Sequence, residues 1–172
     1  MASFASRTMQ KLFAARILLK HLDQLSDQDE LIQPAFKTAH IEAVVFQMQG
    51  ALQALLYEIA EAARMPAGQW HSINELHQAA LENERTLPQL NILIELQKDS
   101  FSWLSQFSRR YQACWLPDKQ GAKEVHQQTP ESSGAMMIAV ADDSVSDQVQ
   151  LNAWLDSMQA LVKDLRLTMQ EY

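Results

Sequence analysis

The sequence predicts an all-α fold, an up-down bundle of four long helices and one short helix with a long crossing loop before the last helix. Three observations predict it. Apolar residues recur at steps of three and four along most of the chain, which is the period of a helix with one buried stripe. Only four glycines and five prolines punctuate 172 residues that are 47% hydrophobic, a composition unlike a disordered chain or a sheet joined by many tight turns. Between Glu42 and Glu58 the chain reads AVVFQMQGALQALLY without a formal charge, as expected of a helix packed on more than one side. The length fits a single domain spanning residues 1–172 and allows a sizeable core.

Helix one is expected from about Ser6 to Leu25. Its stripe of Leu12, Ala15, Leu19, Leu22 and Leu25 should face the bundle, with its cations outward. The acidic segment Ser26 to Glu30 connects it to helix two, which is entered through Pro34, a residue suited to a first helical turn. Helix two should end near Met65, ahead of Pro66 and Gly68.

Two stripes run along helix two. Ile41, Val44, Met48, Leu52, Leu55, Ile59 and Ala62 form the apolar one, and His40, Ala43, Gln47, Gly50, Ala54, Tyr57 and Glu61 form one that is small in the middle and polar at its ends. The small residues allow a close neighbour.

A short helix is expected from Ser72 to about Asn83, opened by the capping-box pattern Ser72-Ile-Asn-Glu75. Thr86-Leu-Pro-Gln89 repeats the signal and should open one long helix to about Trp115, with Leu90, Leu93, Ile94, Leu96, Phe101, Leu104, Phe107 and Tyr111 inward and Trp103 on its flank. That apolar arc is broad enough to touch two neighbouring helices or a second subunit, and Trp103, Phe107 and Trp115 are its candidate interface residues.

Residues 117–144 break the periodicity and are expected to be a long, partly mobile connection, in which the run AMMIAVA, Ala135 to Ala141, lies extended as an anchor against the bundle. The last helix should run from about Val145 to Met169, capped by Ser144 or Ser146, with Leu151, Leu155, Met158, Val162, Leu165 and Met169 inward.

A formal charge of −7 with scattered cations argues against nucleic-acid binding, which calls for a basic patch. The single cysteine, Cys114, forms no intrachain disulfide and, between Tyr111 and Trp115, reads as a packed thiol in a reducing compartment. No run reaches the roughly 20 apolar residues of a membrane span. From Met1 to Leu22 there is no acid, and the serines and cations give the look of a transit peptide. The uninterrupted core stripe favours an ordinary first helix.

Chemical constellations are sparse. A dimetal site in a bundle needs Glu-x-x-His on two helices, and that spacing is missing; Glu58 and Glu61 are correctly spaced, but His40 lies roughly 27 Å away along the helix. No metal site, cofactor or catalytic residue is therefore expected. His71, Glu75 and His77 are accounted for by the capping box. Arg16 with His21, and Arg64 with His71, match the loose Arg-to-His spacing of some helical ribonucleases, a pattern that chance supplies readily.

The remaining oddity is the polar stripe of helix two. Gly50 in mid-helix costs about 1 kcal/mol relative to alanine, which a close crossing explains. The functional alternative is a ligand pocket at Gln47, Gly50, Tyr57 and Glu58, with Ala54 in its wall.

The segments RTMQKLFAARILLKHL from Arg7 and AHIEAVVFQMQGALQALLYEIAE from Ala39, with MMIAVADD and the Trp-Leu-x-Ser-Met-Gln-Ala-Leu-Val run from Trp154, resemble a small uncharacterised bacterial helical family, a domain of unknown function. The resemblance touches most of the chain and implies a bacterial cytosolic protein without a transit peptide. It implies no activity. The expectation is thus a non-enzymatic cytoplasmic bundle acting through contacts with a partner protein or with itself as a homodimer. The alternative is a small-molecule-binding or hydrolytic bundle built on the polar face of helix two.

Overall fold

The computed structural model describes residues 3–116 and 143–170. Among them are six α-helices: α1 (Phe4–His21), α2 (Gln33–Ala62), α3 (Ile73–Glu82), α4 (Pro88–Lys98), α5 (Trp103–Ala113) and α6 (Asp143–Gln170), with a 3-10 turn, Leu22–Asp27, after α1. Most of the expected 117–144 connection, including AMMIAVA, lies outside the described residues.

Paired residues give the directions. Lys11 meets Gln47 and Thr8 meets Glu58, so α1 and α2 are antiparallel. Arg16 meets Asp156 and the Ala5 carbonyl meets Arg166, so α1 and α6 are antiparallel as well. Gln89 of α4 reaches Thr168, while Phe107 of α5 packs edge-on against Trp154. The α4–α5 pair therefore climbs beside α6 in the sense opposite to it. Four helical columns result, the third made of two helices.

That division corrects the expected single helix to Trp115. Asp99 caps the end of α4 and its Oδ1 accepts from the Phe101 amide at 2.9 Å. The Ser102 hydroxyl then accepts from the Ser105 amide at 3.1 Å, capping α5, and itself donates to the Leu96 carbonyl. Short polar side chains at 99 and 102 offer the backbone better partners than helix continuation does. Phe101, expected inward, consequently sits in the turn and is 87% exposed.

Other boundaries follow local chemistry. Ser3 caps α1, and Pro34 occupies the first turn of α2. After α2 the Met65 amide bonds back to the Ala60 carbonyl while Arg64 takes a left-handed φ of 55°, which closes the helix before Pro66 is reached. The α3 capping box forms as expected at Ser72, though Glu75 accepts from the His71 amide, one residue ahead of the cap. Leu87, not Thr86, is the N-cap of α4, and Gln89 turns away to Thr168. The backbone of α6 is helical from Asp143, so Ser144 and Ser146 lie within the helix and not ahead of it.

The core gathers the periodic residues of every column, including Leu12 and Leu19, Met48 and Leu55, Leu90 and Leu93, Leu104 and Phe107, and Leu155 and Leu165, all essentially without exposure. Each such side chain contributes about 1.5–3 kcal/mol by leaving water. The cations of α1 are not all outward as expected. Lys11 turns to α2 and Arg16 to α6, leaving Met9, Phe13 and Ile17 on the solvent side.

Candidate functional site

The expected pocket residues divide into two groups along α2. Gln47 and Gly50 face α1, whose Lys11 ammonium donates to the Gln47 side-chain carbonyl at 3.0 Å. A Cβ added at Gly50 would lie 3.1 Å from Lys11 Cε, and Ala54 beside them is buried. The Lys11 side chain thus lies over this part of the stripe. The glycine serves the close crossing.

Tyr57 and Glu58 lie near the other end of α2. The Tyr57 ring packs edge-on against Phe4, with centroids 5.3 Å apart, and its hydroxyl sits 3.5 Å from His71 Nδ1. Glu58 is buried. Arg166 grips both its oxygens, Nε to Oε1 at 2.7 Å and Nη2 to Oε2 at 3.0 Å. The same Nη2 donates to the Ala5 carbonyl, and the Thr8 hydroxyl lies 3.4 Å from Oε2. One carboxylate therefore ties α1, α2 and α6. A bidentate guanidinium fixes geometry as well as charge, and this one holds the three helices together.

Arg166, Thr8 and the Ala5 carbonyl were missed in the sequence. The available signal was the lone carboxylate closing an uncharged run, because a buried charge requires a partner.

Beside this pair is an open concavity of about 360 Å³, lined by Ala5, Glu58, Glu61, Ala62, Arg166 and Met169. It adjoins a hollow of about 410 Å³, lined by no charged residue, that shares Ala62 and Met169 and also takes in Ile59 and Leu87.

The expected interface aromatics also part company. Phe107 is fully buried against Trp154 and belongs to the core, so it has no surface to offer a second subunit. Trp103 is half-buried and packs on the same core. Trp115 is 67% exposed and, with Tyr111, flanks Phe46 of α2 at ring distances of 5.4 and 5.9 Å; Leu116 continues the exposed patch. Phe46 was not singled out in the sequence, because it lies on neither stripe of helix two.

Cys114 sits at the edge of this patch. Partial burial pushes its thiol up, and the Glu42 carboxylate acts in the same direction, which favours the unreactive protonated form. Arg64 and His71 are both exposed, on either side of the loop that contains Pro66 and Gly68, and Arg16 is engaged with Asp156 and Gln159. Among the described residues no group of three or more His, Cys, Asp or Glu could hold a metal ion, and no helix is long and apolar enough to cross a membrane.

Fold and site together define an all-α bundle in which Glu58 and Arg166 join three helices and aromatic side chains meet at the surface between α2 and α5. The chain belongs to the family described as Family of unknown function (DUF6586), which it matches over residues 1–172. No curated protein and no solved structure matches it.

Proposed function

We propose that this chain is a single-domain bacterial cytoplasmic bundle that acts, without catalysis, through contact with a partner protein or a second copy of itself. The observation that carries this reading is the cluster at the junction of α2 and α5, in which Phe46, Trp115 and Leu116 are exposed around a half-buried Tyr111. Large rings with an apolar body and a polar tip dominate the binding energy of protein interfaces, and exposing them together is costly unless something covers them. Native mass spectrometry of protein purified gently from its own host tests it. A dimer or a retained protein partner is expected, and Trp115→Ala should weaken that complex by at least about tenfold, the usual cost of losing a central aromatic. A strictly monomeric wild type that retains no partner removes the reading.

A second reading is favoured by the paired hollows beside Glu58. An amphipathic small molecule could set a polar end against the Arg166–Glu58 pair and an apolar end on Ile59, Leu87 and Met169. The same spectrum then shows a monomer with a small retained mass, lost in Met169→Glu.

A further inference from the structure

The outer face of α1 carries an apolar stripe that the bundle leaves uncovered. Met9, Phe13 and Ile17, one helical turn apart, are 45%, 66% and 41% exposed. They stand on the helix that holds Arg7, Lys11, Arg16 and Lys20 and no acid between Phe4 and His21, in a chain whose formal charge is −7. Arg7 and Lys20 are exposed, and Lys163 is exposed on α6, the neighbouring helix. Among the described residues, the acid paired with α1 from α6 is Asp156, held by Arg16. Asp23 and Asp27 begin only beyond Lys20, in the turn that follows the helix.

From this arrangement we infer that α1 is a docking face for an anionic lipid bilayer, on which it lies parallel to the surface. Phe13 and its two neighbours enter the headgroup–acyl boundary, and Arg7, Lys20 and Lys163 reach the lipid phosphates with their stems along the apolar surface. The charge decides against a second copy docked stripe to stripe, because that would set two acid-free basic helices against each other. A helical protein partner would need a second apolar ridge beside the stripe to form a groove, and α6 places Asp156 and Lys163 there. A bilayer needs only one protruding row with cations around it. The acidic remainder of the molecule orients the approach, turning α1 toward the negative surface and the rest away. This face is separate from the Trp115 patch, so either surface can fail without the other.

Flotation of the full chain with vesicles of phosphatidylcholine and phosphatidylglycerol, against phosphatidylcholine alone, tests the inference. Binding is expected to the anionic vesicles only and to fall as salt is raised. Lys20→Ala should weaken it about fivefold, following the roughly 1 kcal/mol that each basic residue contributes near such a surface. Phe13→Glu should abolish it, while Trp115→Ala leaves it unchanged. Phe13 is exposed, so the variant keeps its fold, which circular dichroism verifies. No flotation with anionic vesicles at low salt overturns the proposal, as does flotation that Phe13→Glu does not alter. A wild-type dimer that Phe13→Glu converts to monomer also overturns it, by assigning the stripe to a second copy.

Discussion

Gly50 sits where the Lys11 side chain crosses α2, and the atoms a methyl group would meet belong to a flexible chain and not to backbone. The helix gains about 1 kcal/mol from alanine at such a position, while Lys11 must shift by only a few tenths of an ångström. Gly50→Ala is therefore expected to stabilise the protein by about 0.5 kcal/mol, a rise in Tm of roughly 1–2 °C. A fall in Tm would show that the Lys11–Gln47 contact holds its position rigidly. Glu84, after α3, is the complementary case. It has a left-handed φ of 52° while the next amide, Arg85, bonds back to the Ala80 carbonyl, the closing pattern that favours glycine. Glu84→Gly should stabilise by about 0.5–1 kcal/mol by removing the Cβ strain, readable in urea unfolding. Of these two positions the sequence exposed only the first. A glycine inside a helix is visible, whereas an acid forced into a left-handed turn looks like any surface residue.

At the scale of the element, the turn between α4 and α5 shows how local chemistry overrides a continuous apolar period. Ile94, Phe101 and Leu104 keep helical spacing across it, yet Asp99 and Ser102 stop and restart the helix within four residues. The turn is held further by Gln106, which donates to the Phe101 carbonyl, and by Arg109, which donates to the Ser100 carbonyl. Ser102 serves both sides at once. Ser102→Ala should cost about 1–2 kcal/mol, the upper range for loss of an N-cap, because it also leaves the Leu96 carbonyl without its hydroxyl partner. Thermal unfolding monitored by circular dichroism reads this directly, and a cost below about 0.3 kcal/mol would show that the break rests on packing instead of the caps. The Asp99-Ser-Phe-Ser102 pattern was passed over in the sequence, because the apolar residues around it fit the period of one long helix.

Across the whole molecule the decisive polar contact is Glu58 with Arg166, which joins the first, second and last columns. Removing one partner from a buried pair strands the other charge, a loss of about 3–5 kcal/mol when both are fully enclosed. Here the Arg166 side chain keeps 26% of its exposure, so Glu58→Ala is expected to cost about 2–3 kcal/mol after allowance for solvent screening. Linear extrapolation of urea unfolding measures it. If Glu58→Ala leaves stability unchanged and instead releases a bound small mass, the pair belongs to a ligand site and not to the scaffold.

The sequence by itself determined the helical class, most of the apolar face of each column though not Phe101 or Ala62, and the ends that rest on near neighbours: Ser72 with Glu75, Pro34 in a first turn, and the stop before Pro66. These depend on periodicity and on contacts a few residues apart, which the order of residues carries directly. Only the tertiary structure decided that Glu58 meets Arg166, that Lys11 closes the face over Gln47 and Gly50, and that Phe107 turns to Trp154 while Trp115 joins Phe46 outside. It also left Met9, Phe13 and Ile17 of α1 facing water. The physical reason is shared: α1, α2 and α6 are each apolar or amphipathic over more than one face, and which face is covered depends on the azimuth at which distant columns pack.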